Sequence, residues 1–204
     1  MIKRKAILAA VGCAFATVLA FGLAGQAQAE CEPSVFTIQG DVLILNGEIG
    51  SGTLDQFDAI MDDNPQITTL REGYVAGSCD DDTMIELSYR VRDLGLNTEL
   101  LADSEVYSGG TDLFLAGVNR RMEQGAIIGV HSWSDGTNDA VDFPRTSPEH
   151  EMNRAYIADM LMDDAFYWFT IEAAPADGMH NMTAAEIEKY GLLTEPVLPA
   201  GTLN

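Results

Sequence analysis

Short β-type runs alternate with helical patterns through most of this sequence, and no other feature constrains its fold as strongly. Residues 42–47 are typical of a strand, apolar residues then recur at helical spacing over 54–61, and residues 67–70 are again β-type. Strands that alternate with helices form α/β domains, in which a mostly parallel sheet is flanked by helices. We therefore expect an α/β fold of this kind.

The same patterns predict the individual elements. Predicted strands cover residues 35–38, 42–47, 67–70, 97–102 and 125–131. Predicted helices cover residues 53–64, 80–94, 109–117, 149–163 and 183–190, and the hydrophobic segment 165–170 is either helix or strand. Residues 71–78 are predicted as a loop because they are rich in small residues. The polar residues 132–148 form a second predicted loop, which we expect to lie over a functional site.

The first 29 residues have the pattern of a secretory signal peptide. Lys3, Arg4 and Lys5 precede an apolar run over residues 6–25, and residues 27–29 read Ala-Gln-Ala, a small-x-small site of the kind that a signal peptidase cuts. We expect residues 1–29 to be removed, which leaves residues 30–204 as a single periplasmic or secreted domain without stable membrane insertion. The alternative is a retained anchor, because the apolar run approaches the length of a membrane span.

Charge restricts the partners of this domain. Three of the 11 basic residues lie in the predicted signal peptide, so residues 30–204 carry eight basic against 32 acidic residues, a net charge near −24. A surface of that sign repels nucleic acid and anionic lipid, and we exclude both as partners. A salty habitat and a cationic partner are both compatible with it.

Cysteine and histidine are scarce in the predicted domain. Cys31 and Cys79 are an even pair in an exported chain, so they either form a disulfide or remain free thiols. His131, His150 and His180 are widely separated, and none of these residues has the spacing of a metal site. We therefore expect neither a metal nor a cofactor, and we expect His150 at the surface or in a helix cap.

Ser108, which is followed by Gly109 and Gly110, is the residue with the clearest chemical potential. Two glycines let the backbone approach a substrate and turn sharply, and the apolar helix predicted after them would fix a hydroxyl beside a free amide. The alternative is a capping serine in an ordinary turn. Gly77 and His131 favour a nucleophile, because each lies just past a predicted strand or in the loop that it feeds. In a parallel sheet they would meet Ser108 at the carboxyl ends of the strands.

Several segments of the chain carry a family resemblance in their order and spacing: residues 47–49, the loop ending at 77–78, residues 107–110, His131 and residues 182–192. Together they resemble the Clp protease proteolytic subunit of the ClpP/crotonase superfamily, and more closely its secreted bacterial relatives, over most of residues 42–195. The resemblance implies repeated β-β-α units and a homo-oligomer. It also implies that Ser108 is the nucleophile, that His131 is the base, and that the amides of Gly77 and Gly109 form an oxyanion hole.

The resemblance further implies an acidic residue before the last helix, where it orients the histidine. Counting back from Thr183 without a gap puts Met179 at that position, and a methionine cannot orient an imidazole. Asp177, two residues earlier, is our candidate for this role. His180 and Trp133 are candidates for the lining of the site.

These features predict acyl transfer by an exported, peptidase-like serine hydrolase. His131 would deprotonate Ser108, and the serine oxygen would attack the carbonyl of a peptide or a small acyl substrate. A non-catalytic periplasmic binding or scaffold protein is the alternative, which Met179 favours. Crotonase-like chemistry on an acyl-CoA is a third interpretation. It is disfavoured because CoA is a cytoplasmic cofactor and the acidic domain repels its phosphates.

Overall fold

The computed structural model describes residues 31–203, and the predicted signal peptide lies outside the described residues. The strands are β1 Val35–Gln39, β2 Val42–Ile49, β3 Thr69–Ser78, β4 Asn97–Tyr107, β5 Arg120–Met122, β6 Ile127–Val130 and β7 His180–Asn181. The helices are α1 Thr53–Asp63, α2 Asp81–Asp93, α3 Gly109–Leu115, α4 Glu151–Leu161, α5 Ala165–Ala173 and α6 Ala184–Lys189. Two short 3₁₀ helices, Ala140–Asp142 and Pro148–His150, lie between β6 and α4.

All seven strands belong to one sheet, in the order β1-β2-β3-β4-β6-β7, with β5 paired to β4. β3 runs parallel to both β2 and β4, and β4 runs parallel to β5 and β6. β1 and β7 pair antiparallel with β2 and β6. This topology confirms the predicted α/β fold with a mostly parallel sheet.

Alternating side chains on the strands and one face of each long helix build a single apolar core. In β2, Leu43 and Leu45 are fully buried and their neighbours are not. In α2, Met84, Leu87 and Val91 recur at the spacing of one helix face, and all three are buried. Burial of each side chain of this size contributes about 1.5–3 kcal/mol, which fixes the helices on the sheet.

Two helix starts have side-chain caps at the predicted positions. The carboxylate of Asp80 accepts a hydrogen bond of 3.0 Å from the amide of Thr83, which begins α2. Thr183 and Glu186 form a reciprocal capping box at the start of α6. Each cap satisfies backbone groups that the helix itself leaves unpaired.

The predicted loop over residues 71–78 is wrong, because these residues extend β3. They pair with β2 on one side and with β4 on the other, so the two ladders outweigh the low strand propensity of the small residues. Gly73 leaves room there for the side chain of Asn46, whose oxygen a Cβ atom would displace. That oxygen accepts a hydrogen bond from the amide of Tyr74 where the register shifts.

The helical segment after residue 148 is shorter than predicted and is followed by a second helix. α4 ends at Leu161 because Met162 adopts the left-handed conformation, with φ 67°. The hydrophobic segment 165–170, left open between helix and strand, lies within α5. β4 is also longer than predicted and reaches Tyr107, next to Ser108.

Cys31 and Cys79 form a disulfide, with their Cα atoms 6.2 Å apart, so the first of the two alternatives for this pair is confirmed. The bond ties the N-terminal segment to the residue that follows β3. In residues 31–203 no helix combines the length and the apolar character that a membrane span requires.

Candidate active site

Ser108 joins the end of β4 to the start of α3, and its backbone is strained. It has φ 52° and ψ −123°, and it is one of two non-glycine residues with positive φ among the described residues, with Met162 as the other. The amide of Ser108 donates to the carbonyl of Gly129 at 3.0 Å, and its carbonyl accepts from the amide of Asp112 at 3.1 Å. Strain of this kind costs about 1–3 kcal/mol and is concentrated at functional sites.

Glycines let the end of β3 pack closely against Ser108 and against the start of α3. A Cβ atom on Gly77 would lie 3.3 Å from the Cβ of Ser108, and one on Gly109 would lie 2.5 Å from the Oγ of Ser78. Gly77 and Gly109 therefore both adjoin the serine. Because Gly109 is the first residue of α3, its amide has no partner within the helix and is available to an oxyanion.

His131 follows β6 directly, and its ring is held by a backbone carbonyl. Its Nδ1 lies 3.1 Å from the carbonyl oxygen of Ala176. A carbonyl oxygen can only accept a hydrogen bond, so Nδ1 carries the proton and donates it. The other ring nitrogen, Nε2, is then the basic one, which is the tautomer that a general base requires.

Ser108 and His131 line the same cavity, which has a volume of about 50 Å³. Gly109 and Trp133 also line it, whereas Gly77 is not among its lining residues. A volume of this size holds roughly three or four water molecules. The proposed nucleophile and base thus line one small cavity, which has space for a group of a few atoms.

Asp177 does not contact His131, which corrects the expectation that it orients the ring. The side chain of Asp177 is exposed, and within residues 31–203 its carboxylate has no hydrogen bond or ion pair. Pro175 and Gly178 close a turn through a 2.9 Å backbone hydrogen bond, and Asp177 lies at the outer corner of that turn. The carbonyl of Ala176, one residue earlier, occupies the place predicted for the carboxylate.

His180 lies outside the cavity that Ser108 and His131 line. Its Nε2 is 3.1 Å from a carboxylate oxygen of Glu186, and its ring packs edge-on against Phe169 at 5.7 Å between centroids. His180 therefore stabilises the start of α6 instead of lining the site.

His150 is buried, so the expectation of a surface residue is wrong, and although it occupies the N-cap position of α4 its side chain does not cap the helix. Its Nδ1 lies 2.6 Å from the hydroxyl of Tyr167, which accepts a 3.0 Å hydrogen bond from the indole nitrogen of Trp133. The rings of Phe143 and Trp168 also pack against His150. This cluster fixes Trp133 and Tyr167 as one wall of the cavity.

Asp112 is a titratable residue of the same cavity that the sequence predictions did not include. It lies one helical turn after Ser108. Burial, and to a smaller extent the charge of Asp81, raise the pKa of Asp112 from 3.8 to about 7. Asp81 also lines the cavity and accepts a hydrogen bond from the hydroxyl of Ser78. The sequence does contain a signal for Asp112, because it is an acidic residue in the first turn of an otherwise apolar helix.

Among the described residues, one group has ligand atoms close enough together to be compared with a metal site. It consists of Cys31, Glu48 and Cys79. Both sulfurs belong to the disulfide and are not thiolates, the form of cysteine that binds metals.

No protein-family model and no curated protein matches this sequence. The 1510-N membrane-bound stomatin-specific protease, a mutant in complex with a substrate peptide, is 20% identical over 78% of this chain and 74% of its own, with a TM-score of 0.54. Methylmalonyl CoA decarboxylase is 11% identical over 81% of this chain and 67% of its own, with a TM-score of 0.52. An enoyl-CoA hydratase from Mycobacterium avium subsp. paratuberculosis K-10 is 13% identical over 82% of this chain and 71% of its own, with a TM-score of 0.52. At such low identity these similarities establish the fold alone. The chain has the ClpP/crotonase fold.

Proposed function

We propose that this protein is an exported serine hydrolase that cleaves peptide bonds or small acyl groups with Ser108 and His131. One observation carries the proposal. A serine in a strained backbone conformation shares a cavity with a histidine whose Nδ1 is engaged by a carbonyl, so that Nε2 is the basic nitrogen.

In the first half of the reaction, Nε2 of His131 takes the proton of Ser108 while the serine oxygen bonds to the substrate carbonyl carbon. The carbonyl oxygen becomes an oxyanion against the amides of Gly77 and Gly109, and each such donor is worth about 10²–10³ in rate. The bond to the leaving group then breaks, and His131 gives its proton to that group. Water repeats the sequence on the acyl-serine and releases the acid, which restores Ser108.

The carbonyl of Ala176 performs part of the work that a carboxylate performs in a Ser-His-Asp triad. It holds the histidine in the correct tautomer and orientation, as the acid of a triad does. It is neutral, so it stabilises the imidazolium that forms on His131 less than a carboxylate would. We therefore expect a slower enzyme than one with a full triad.

The structural similarities support both enzyme classes that share this fold. The stomatin-specific protease was solved with a substrate peptide, which supports a peptidase-like activity. The decarboxylase and the hydratase are named for CoA substrates, so acyl-CoA chemistry is the competing enzymatic interpretation. The excess of 32 acidic over 11 basic residues disfavours it, because CoA is rich in phosphate.

A non-catalytic binding or scaffold protein is the second candidate function. It is favoured because, among the described residues, Nδ1 of His131 contacts a backbone carbonyl and no carboxylate. Such a protein would keep the cavity but would not react with an acylating probe.

A fluorophosphonate probe distinguishes these functions, because it labels only an activated serine. We expect the wild-type protein to be labelled, Ser108→Ala to lose all labelling, and His131→Ala to be labelled at least about 10²-fold more slowly. Ser78→Ala is the matched control, since Ser78 lines the same cavity and should not be the labelled residue. The hydrolase proposal fails if the wild type stays unlabelled in every oligomeric state found by analytical ultracentrifugation, or if Ser108→Ala is still labelled.

A further inference from the structure

The carbonyl that holds His131 is itself held by a carboxylate. The amide of Ala176 donates a hydrogen bond of 3.3 Å to Oδ2 of Asp139, and the carbonyl of Ala176 accepts from Nδ1 of His131 at 3.1 Å. Asp139 belongs to the polar segment 132–148, and Ala176 belongs to the connection between α5 and β7. One residue therefore links a carboxylate on one segment to the imidazole on another.

Buried hydrogen bonds fix Asp139 with respect to His131. The amide of Ser132 donates to the carbonyl of Ala174 at 2.9 Å, which ties the residue after His131 to the α5–β7 connection. The amide of Ala140, the residue after Asp139, lies 3.1 Å from the Oγ of Ser132. Ser132 and Ala140 are both fully buried. Ser132 is thus bonded both to Ala174 and to Ala140, and the carboxylate of Asp139 adds a second hydrogen bond between the two segments, at Ala176.

We propose that Asp139 is a positioning residue for His131 and acts through Ala176. The inference rests on the proposed hydrolase function, because it assigns Asp139 a part in the same reaction. The carboxylate holds the amide of Ala176, so the carbonyl of that residue stays directed at Nδ1 and keeps the proton there. Without this anchor the peptide of Ala176 is held only by the bonds at Ala174 and within the Pro175–Gly178 turn, and the histidine loses the fixed contact that selects its basic Nε2.

A purely structural role for Asp139 makes a different prediction. Asp139 precedes the 3₁₀ helix Ala140–Asp142, and its amide donates to Oδ2 of Asp142 at 3.1 Å. Asp142 therefore shares the turn with Asp139, but it is exposed and has no bond to the α5–β7 connection. If Asp139 only maintained this turn, loss of either carboxylate would have the same effect. Asp142→Ala is the matched control.

The test measures the tautomer of His131 by two-bond ¹H–¹⁵N NMR, together with the kinetics of fluorophosphonate labelling. We expect the wild type and Asp142→Ala to carry the proton on Nδ1. We expect Asp139→Ala to show a mixture of tautomers, and its maximal labelling rate to fall about 10²-fold while the half-saturating probe concentration changes less than about twofold. Asp139→Asn keeps an acceptor oxygen and should retain the tautomer and most of the rate.

Ala176→Pro removes the same hydrogen bond from its other end, in case Asp139→Ala does not fold. The substitution deletes the amide proton at the second position of the turn that Pro175 begins, a position that proline favours. It should reproduce the mixed tautomers and the slow labelling.

Three results would overturn the inference: an unchanged tautomer and rate in Asp139→Ala and Ala176→Pro, an equal loss in Asp142→Ala, or an equal loss in Asp139→Asn. A wild type that never reacts with the probe refutes the hydrolase alone. The NMR experiment needs no substrate, so it still decides whether Asp139 orients His131.

Discussion

Ser108 combines a strained backbone with a candidate catalytic role, so stability and activity should respond in opposite directions when it is changed. Its φ of 52° is unfavourable for any residue with a Cβ atom and ordinary for glycine. We predict that Ser108→Gly raises the free energy of unfolding by about 1 kcal/mol, because relief of the strain exceeds the entropy cost of glycine. The same variant should lose all fluorophosphonate labelling.

Ser108→Ala is the matched control, because it removes the hydroxyl and keeps the Cβ atom. Urea unfolding should show no comparable gain for this variant. Equal stability of the glycine and alanine variants would contradict the assignment of strain to Ser108.

Asp112 gives the stability of the protein a defined pH dependence. Its pKa is raised from 3.8 to about 7 by burial, so the folded state keeps a proton that the unfolded state releases. The contribution of Asp112 is therefore complete below about pH 4 and is lost as the pH rises to about 7. We predict that Asp112→Asn is more stable than the wild type by about 4 kcal/mol at pH 8 and shows little gain at pH 4.

Urea unfolding at both pH values tests this prediction, with Asp62→Asn on the exposed side of α1 as the control. A gain for Asp112→Asn that is the same at pH 4 and pH 8 would show that the carboxyl does not titrate between them.

The sequence predicted that Ser108 and His131 lie close together, and it did not predict most of the residues that surround them. Ser108 and His131 are found together because β4 and β6 are neighbouring parallel strands and each residue directly follows one of them. The contact of Ala176 with His131 involves a backbone carbonyl, which any residue type can supply. His150 follows a proline in a short helical segment, and only the aromatic rings around it show that it is buried.

Among the elements, β3 and β4 contain a pair of buried glutamates that should behave in opposite ways. Both carboxylate oxygens of Glu72 in β3 are buried without a hydrogen-bond partner, and burial raises the pKa of Glu72 well above its ordinary value. Glu99 in β4 is paired with Arg71 at 2.7 Å and with Arg121 at 2.9 Å. The two residues therefore provide a matched comparison of an unpaired and a paired buried acid.

We predict that Glu72→Leu stabilises the protein by about 1–3 kcal/mol at pH 8, because it removes a buried polar group that has no partner. The gain should shrink towards pH 4, where the wild-type carboxyl is protonated in both states. Glu99→Leu should destabilise it by about 3–5 kcal/mol, because it leaves the charge of Arg71 buried and unpaired. Thermal and urea unfolding measure both changes. A loss of stability in Glu72→Leu would indicate that its carboxyl has a partner in solution.

Local composition was insufficient to predict residues 71–78 of β3. Gly73, Gly77 and Ser78 are typical of a loop, and a period-two pattern is interrupted where the register shifts. The strand exists because β2 and β4 lie on either side of it, a long-range arrangement that no local window contains. By contrast, α2 has both an N-cap and a regular apolar face, and its predicted range is close to the observed one.

For the whole molecule, the fold was predicted through a combination of strand–helix alternation and the family resemblance. The alternation is a local property of the sequence, whereas the resemblance depends on motifs spread over residues 42–195. Export remains a proposal. It follows from the basic, apolar and Ala-Gln-Ala pattern of the first 29 residues.

Expression in a bacterium with a standard secretion pathway tests this proposal. We predict that the protein is recovered outside the cytoplasm and that N-terminal sequencing of it begins at Glu30. Ala27→Leu with Ala29→Leu should block cleavage and leave the longer chain on the membrane. An uncleaved wild type would favour the retained anchor.

If Ser108 is an activated nucleophile, a covalent adduct must form on its side chain. The purified protein is treated with a fluorophosphonate, digested, and mapped by tandem mass spectrometry. We predict one adduct, on the Oγ of Ser108, that disappears after denaturation before treatment and is strongly reduced in His131→Ala. An adduct on another residue, or none in the native wild type, would show that Ser108 is not an activated nucleophile.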